Sequence, residues 1–266
     1  MPYPPILEIG LSGLPADIVG GFSSSYFGMK KEESIGGLKY RDLDFIVERN
    51  PVRARIFDLG PLSELEKGPD SLPYFGYIMI FRSDHANTGI DSNFFKGIRK
   101  IGVPTLVIGI DYDVSTMDFY EVPLLDFDLC KALKYLVSDA INFKGVKGYK
   151  GNLYATSVSH EEFLSKSIGF YKILKEQTEN RKRIERILKE LGVSNTSFLD
   201  IPDPSKFENV FKGSLSRFEY LKVSEIVDKV KAVVSRYREG KISREHTLAI
   251  MNNQMKRVID RLLKYM

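Results

Sequence analysis

The stretch SIGGLKYRDLDFIVERNPVRARIFDLG, Ser34–Gly60, decides the predicted fold. Polar and apolar residues alternate along Arg41–Glu48 and along Arg53–Leu59, which is the period of half-buried β-strands. Asn50–Pro51 separates the two runs, so the pattern predicts an antiparallel hairpin with its turn at these residues. The second strand ends near Asp58, at the kind of edge where ligands bind in open α/β sheets.

Apolar runs and helical periodicities on either side of the hairpin predict an α/β sheet. The runs are continuous, as in strands buried on both faces, and a helix between consecutive strands is typical of parallel βαβ units. The predicted strands are Ile6–Ile9, Tyr77–Phe81, Thr105–Asp111 and Val122–Phe127, and the predicted helices are Ile18–Phe27, Phe94–Ile101 and Asp128–Phe143. Residues 1–143 are therefore expected to form a mixed, mostly parallel sheet with helices on both faces and the antiparallel hairpin at one edge.

Beyond residue 143 the pattern becomes helical. Residues 144–158, KGVKGYKGNLYATSV, are rich in Gly and Lys and are expected to form a connector. Residues 159–266 are expected to form an all-α domain, in which Ser159 and Glu162 make a capping box and Ser243 caps the last helix. The apolar stripes of these helices are expected to pack together as a core between antiparallel helices.

Composition narrows the class of protein. The 266 residues include one cysteine, Cys130, expected to be a core residue, and three histidines far apart in sequence, so neither a disulfide framework nor a structural zinc site is expected. No apolar run reaches the length of a membrane span, and the single cysteine favours a cytoplasmic location. From His160 onward 22 Lys and Arg outnumber 15 Asp and Glu, whereas 17 and 20 precede it, so the helical part carries the basic character.

Four segments, in order and at similar spacing, resemble motifs of the Ras-like small GTPases, in particular the Rab and Rag types. SIG at 34–36 resembles the first switch, ARIFDLG at 54–60 the strand that ends in DxxG, GVPTLVIGIDYD at 102–113 the strand that carries NKxD, and EVPLLDF at 121–127 the sixth strand. The resemblance spans about residues 5–142. It implies a P-loop NTPase-type sheet with a vestigial nucleotide pocket formed by Gly10, Ser12, Gly13, Asp17, Ser34, Asp58 and Asp113.

The glycine-rich turn departs from the phosphate loop of that family. In GxxxxGK(S/T), backbone amides and a lysine hold the phosphates while a hydroxyl holds magnesium. Here Pro15 has no amide hydrogen, Ala16 stands in place of the cation, and Asp17 brings a carboxylate near the phosphate position. Like charges about 4 Å apart repel by roughly 4 kcal/mol at an effective dielectric of about 20, so a nucleotide triphosphate is expected to bind poorly.

The other motifs depart in the same direction. Pro61 replaces the glycine of DxxG, and Ile110 and Asp111 stand where NKxD has Asn and Lys, so that only Asp113 remains. We therefore expect a pseudo-GTPase with no catalytic residues, no metal site and no cofactor, while weak binding of GTP or GDP with magnesium stays open. Such a chain is expected to act as a regulatory or scaffold protein whose partner is another protein, either GTPase-like or a second copy.

Two alternatives belong to other classes of function. Gly20–Gly21, Asp42, Asp44 and Asp58 resemble the GG…DxD…D arrangement of polymerase-beta-like nucleotidyltransferases, in which carboxylates hold two magnesium ions. The simpler interpretation is that Asp42 and Asp44 form the polar face of an edge strand. The basic segment RKRIERILK, 181–189, with the lysines of the connector, is the basis for nucleic-acid binding, although a solvated helical face explains it equally simply.

Overall fold

The computed structural model describes residues 5–30, 34–65, 72–82, 93–114, 122–124, 127–194 and 197–263. The strands are β1 Ile6–Leu14, β2 Ser34–Ile35, β3 Leu38–Val47, β4 Asn50–Pro61, β5 Tyr77–Arg82, β6 Thr105–Ile110, β7 Val122–Pro123, β8 Leu153–Val158, β9 Val193–Ser194 and β10 Ser197–Phe198. The helices are α1 Ala16–Gly21, α2 Asn93–Ile101, α3 Leu129–Gly145, α4 His160–Glu190, α5 Pro204–Ser214, α6 Arg217–Arg238 and α7 Arg244–Leu262. A π-helical turn, Phe22–Tyr26, continues α1, and a short 3₁₀ helix, Leu62–Glu64, follows β4.

The first of two compact units, Pro5–Leu174, is an α/β unit built on one mixed sheet. The strands lie in the order β2-β3-β4-β1-β5-β6-β8-β7, and every pairing from β4 to β7 is parallel. Strand β3 is antiparallel to both of its neighbours, β2 and β4. The predicted α/β class, with a mostly parallel sheet and an antiparallel hairpin at one edge, is confirmed.

The hairpin turn lies two residues earlier than predicted. Glu48 and Arg49, not Asn50–Pro51, occupy the turn, and both have positive φ, 48° and 69°. Positive φ at both central residues is the geometry of a type I′ turn, whose twist matches that of the flanking strands. Asn50 and Pro51 instead open β4 opposite Val47 and Ile46. Because β4 pairs with β1 only from Arg53 onward, Pro51 interrupts no ladder on that side.

Strand β8 lies within the expected connector. Leu153–Val158 pairs in parallel with Thr105–Ile110, so the sheet extends past the expected boundary at residue 143. Helix α3 forms the crossover that a parallel connection requires. Of the expected strand Val122–Phe127, Val122–Pro123 pairs with β8, while residues 125 and 126 lie outside the described residues.

Alternate residues of the sheet pack on opposite faces. Ile78, Ile80 and Leu106 point to an apolar cluster that includes Leu133 of α3, and Met79 points to a second cluster that includes residues of α2. Burying each such side chain contributes roughly 1.5–3 kcal/mol, so apolar contacts on both faces stabilise the pairing of β5 with β6. Helices therefore cover both faces, as the continuous apolar runs predicted.

The second compact unit, which begins at Lys175, is helical apart from the two-residue strands β9 and β10. Its core contains the predicted stripes, including Val230 and Val234 of α6 and Met251 and Met255 of α7. The predicted cap at the last helix is also present, since the Ser243 hydroxyl accepts a hydrogen bond from His246 N at 3.2 Å. Helix α4 begins after the expected cap, where the Ser159 hydroxyl accepts a hydrogen bond from Glu162 N at 3.2 Å. The helix runs to Glu190, and the division between the two compact units falls after Leu174 instead of within residues 144–158.

Acidification is expected to weaken the helical unit through Glu208. This carboxylate accepts hydrogen bonds from Lys212, at 2.6 Å, and from Lys231, and the two ammonium groups lower its pKa from 4.5 to about 2. A carboxyl whose pKa is lower in the folded state stabilises the fold above its unfolded pKa, and that contribution is lost as pH falls from 4.5 towards 2. The midpoint of thermal unfolding, followed by circular dichroism, should be higher for the wild type than for Glu208→Gln at about neutral pH. The two midpoints should converge as pH falls towards 2. A difference independent of pH would contradict this role.

Candidate functional site

The glycine-rich segment predicted as a phosphate loop is the end of strand β1. Over this stretch β1 pairs with β5 from Gly10 to Leu14, and it pairs with β4 up to Leu11 and again at Gly13. Gly10 N also donates a hydrogen bond to Gly76 O at 3.0 Å. Backbone groups that would have to point at a ligand are therefore engaged in sheet ladders.

Gly13 is required because the backbone of β5 approaches it closely. A Cβ at this position would lie 2.0 Å from the carbonyl oxygen of Ile80, which is far inside van der Waals contact. A Cβ at Gly10 would lie 2.7 Å from Leu59 Cδ1 and 2.9 Å from the Tyr77 ring. The two glycines predicted as ligand-binding residues thus serve the packing of strands in this structure.

Ser12 and Asp58, two of the residues assigned to the vestigial pocket, are linked through Gly60 at the end of β4. The Ser12 hydroxyl donates to Gly60 O at 2.9 Å, and Gly60 N donates to Asp58 Oδ1 at 3.0 Å. The other carboxylate oxygen of Asp58 accepts a hydrogen bond from the Ser23 hydroxyl at 2.6 Å. Gly60 has φ 76°, which allows the chain to bend where β1 and β4 fall out of register. Both oxygens of Asp58 are therefore committed to holding this bend and the π-helical turn.

Asp17 lies in the first turn of α1 and faces a cation. Its carboxylate is exposed and lies 3.5 Å from Arg82 Nη1 at the end of β5. Such an exposed ion pair contributes little to stability, on the order of 0–1 kcal/mol.

The two remaining predicted pocket residues lie on other strands. Ser34 is an exposed residue of β2, three strands from β1, and Asp113 is exposed after β6, two strands from β1 on the other side. The loop after β6 is held by the end of β8 and the start of α4: Val114 N donates to Ser157 Oγ at 2.8 Å, and His160 N donates to Asp111 Oδ1 at 2.9 Å. Ser157 was missed because its strand lies in the expected connector.

Asp42 and Asp44, the candidate metal ligands of the transferase alternative, each face an arginine across the hairpin. Arg55 donates to both carboxylate oxygens of Asp42 at 2.8 and 3.0 Å, and Arg53 Nε donates to Asp44 Oδ1 at 2.7 Å. These residues are directly opposed in the β3–β4 register. The hydrogen bond to Asp42 raises the pKa of Arg55 above its ordinary value, so the guanidinium group stays positively charged.

Asp58 lies on the opposite face of the sheet from Asp42 and Asp44. Strand residues alternate between faces, and Asp42 and Asp44 share a face with Arg55 and Arg53. Asp58 follows these arginines by three and five positions, both odd, so it points to the other face. The three carboxylates therefore do not converge. Within the described ranges, no group of three or more His, Cys, Asp or Glu side chains is placed to hold a metal ion.

The single cysteine is half-buried and unreactive. Burial is the main cause that raises the pKa of the Cys130 thiol to about 11, so almost no thiolate is present at neutral pH. The side chain lines a groove of about 420 Å³ together with Phe127 and Phe170. Packing explains this residue, in agreement with its predicted core position.

The basic segment 181–189 packs against the core of the helical unit and forms an ion pair within it. Its apolar members Ile184, Ile187 and Leu188 belong to the core, and Arg183 forms an ion pair of 2.6 Å with Glu219. A further basic side chain of the unit, Arg238, pairs with Asp203 at 2.8 Å. Intramolecular carboxylates thus already neutralise part of the positive charge on which the nucleic-acid alternative depends.

None of the helices in the described part of the chain combines the length and the apolar character needed to cross a bilayer. The chain matches no known family model, and no curated protein is significantly similar to it.

Proposed function

We propose that the chain is a Ras-like pseudo-GTPase that works as a regulatory or scaffold subunit through protein contacts. The strand order supports the fold assignment: the antiparallel strand β3, followed by the parallel series β4, β1, β5, β6 and β8, resembles the order of the Ras-like sheet. The helices that follow β1, β5 and β7, and the presence of helices on both faces, agree with the same resemblance.

The absence of hydrolysis is supported above all by the course of strand β1. Where the resemblance places a phosphate cradle, Gly10–Leu14 is hydrogen-bonded into the sheet, and Gly13 leaves no room between its backbone and that of Ile80. A phosphate loop binds because several amides point freely at the anion, and these amides are engaged in strand pairing. Asp17 places a carboxylate near the same segment, and Arg82, which could otherwise meet an anion, lies 3.5 Å from that carboxylate.

GTP, GDP and ATP, each with magnesium, are expected to leave thermal unfolding of the protein unchanged. At a concentration 100 times its Kd, a nucleotide that binds only the folded state would stabilise it by about 2.7 kcal/mol, which shifts Tm by several degrees. Circular dichroism is the suitable readout, because the chain contains no tryptophan. A nucleotide-dependent rise in Tm together with GTP turnover would overturn the pseudo-GTPase proposal.

The double substitution Ala16→Lys/Asp17→Ser separates the two causes of weak nucleotide binding. It supplies the missing cation and removes the acid, but it leaves the pairing of β1 with β5 intact. We therefore expect this variant to remain insensitive to nucleotide in the same titration. Nucleotide binding by this variant alone would show that side-chain charge, not the pairing of β1, excludes phosphate.

A further inference from the structure

Three large apolar side chains form an exposed stripe on the first half of helix α4. Leu164, Ile168 and Tyr171 are 43%, 73% and 50% exposed, and Ile168 is the most exposed large hydrophobic residue in the described part of the chain. Their spacings of four and three residues place them on one side of the helix. Phe163 and Phe170 of the same helix are buried in the core, so the stripe lies on a separate, outward side. Single exposed apolar residues are ordinary, whereas a contiguous stripe marks an interaction surface.

The ends of this stripe carry opposite charges. Glu161 lies one turn before Leu164, Lys172 lies one turn after Ile168, and both residues are exposed. In the described ranges, no ion pair involves either of these two side chains. When two copies of such a helix pack antiparallel about a two-fold axis, the acidic end of each faces the basic end of the other. The stripe is therefore complementary to itself.

We propose that a second copy of this chain binds here, with the two α4 helices antiparallel and Ile168 close to the two-fold axis. Self-complementary charge favours this occupant because a second copy offers an opposite charge to both Glu161 and Lys172, whereas an anionic membrane surface would attract Lys172 but repel Glu161. Only three apolar side chains form the patch, so the interface is expected to be smaller than the roughly 800 Å² per partner of a standard one and the dimer to dissociate on dilution. The dimer depends on the proposed function only in that the chain acts through protein contacts.

Sedimentation velocity over a range of protein concentrations tests the dimer. The wild type is expected to change from monomer to dimer as concentration rises, whereas Ile168→Glu is expected to stay monomeric because it buries two like charges near the axis. Leu199→Glu is the matched control, because Leu199 is 65% exposed on a different segment. This variant is expected to dimerise as the wild type does. Circular dichroism checks that each variant is folded. A wild type that stays monomeric at all concentrations overturns the proposal, and it leaves the outcome of the nucleotide titrations unaffected.

Charge exchange tests the antiparallel arrangement. Glu161→Lys and Lys172→Glu are each expected to weaken the dimer about tenfold or more, because each places like charges opposite each other. The double substitution Glu161→Lys/Lys172→Glu restores opposite charges at both ends and is expected to recover the wild-type dissociation constant. Failure of the double variant to recover would overturn the antiparallel pairing.

Cross-linking tests the position of the axis. In a Cys130→Ser background, Ile168→Cys is expected to form a disulfide-linked dimer on mild oxidation, since two Cβ atoms near a two-fold axis can approach to about 4 Å. Leu199→Cys in the same background is expected to remain mostly monomeric. Equal cross-linking of the two variants would overturn the placement of Ile168. Binding of a monomeric wild type to anionic vesicles, lost in Ile168→Glu, would assign the stripe to a membrane surface instead.

Discussion

Replacing Gly13 with alanine is expected to destabilise the α/β unit by about 3 kcal/mol or more, at the upper end of the cost of overpacking a core. The new methyl group would lie 2.0 Å from the carbonyl oxygen of Ile80, and both atoms belong to paired strands that side-chain rotation cannot move. Strands β1 and β5 must therefore separate locally, which breaks ladder hydrogen bonds at the centre of the sheet. Denaturant unfolding followed by circular dichroism measures the loss.

Gly20→Ala is the matched control for this prediction. Nothing lies within 4 Å of a Cβ at Gly20, which is in helix α1, so alanine should stabilise the helix by up to about 1 kcal/mol. The two glycine substitutions are thus expected to have opposite signs. If Gly13→Ala were as mild as Gly20→Ala, the segment would be a loop with free space around it, and the argument against phosphate binding at Gly10–Leu14 would fail.

The sequence was sufficient to predict the sheet but not every strand. Continuous apolar runs and the alternating hairpin predicted β3, β4, β5 and β6, because each pattern reports how many faces of a strand are buried. Strand β8 was not predicted because Leu153–Val158 follows a Gly- and Lys-rich segment whose composition is that of a connector. Its place in the sheet depends on pairing with Thr105–Ile110, which lies more than 40 residues away and leaves no local signal.

The two-residue error in the predicted position of the hairpin turn conceals the arginine–aspartate pairs between β3 and β4. A turn at Asn50–Pro51 would place Phe57 opposite Asp44, whereas the turn at Glu48–Arg49 places Arg53 there. Nothing in a Glu-Arg pair indicates positive φ, since Gly and Asn are the usual residues of such turns. With the correct turn, both arginine–aspartate pairs follow from the sequence by counting. Of the seven residues assigned to the pocket, Ser12 and Asp58 lie close together, but the partner Ser23 depends on the π-helical turn, which has no recognisable pattern.

Removing the carboxylate of Asp44 is expected to destabilise the protein by about 3–5 kcal/mol, the usual cost of leaving a buried partner charge uncompensated. The Asp44 side chain is fully buried and that of Arg53 is 8% exposed, so water cannot replace the lost ion pair. The double substitution Asp44→Leu/Arg53→Met is expected to recover most of the loss, because it removes both charges and retains apolar volume.

The sign of the Asp44→Ala effect also discriminates between the fold and the transferase alternative. If Asp42 and Asp44 held magnesium, the metal-free protein would suffer repulsion between the carboxylates, and removing one would stabilise it while abolishing any rise in Tm with magnesium. Because each carboxylate faces an arginine, we expect the opposite: loss of stability without metal, and no magnesium-dependent rise in Tm for either protein. Denaturant unfolding with EDTA and with about 10 mM magnesium, far above an ordinary Kd for this ion, measures both quantities in one experiment. A stabilised, magnesium-insensitive Asp44→Ala variant beside a magnesium-stabilised wild type would reassign the hairpin as a metal site.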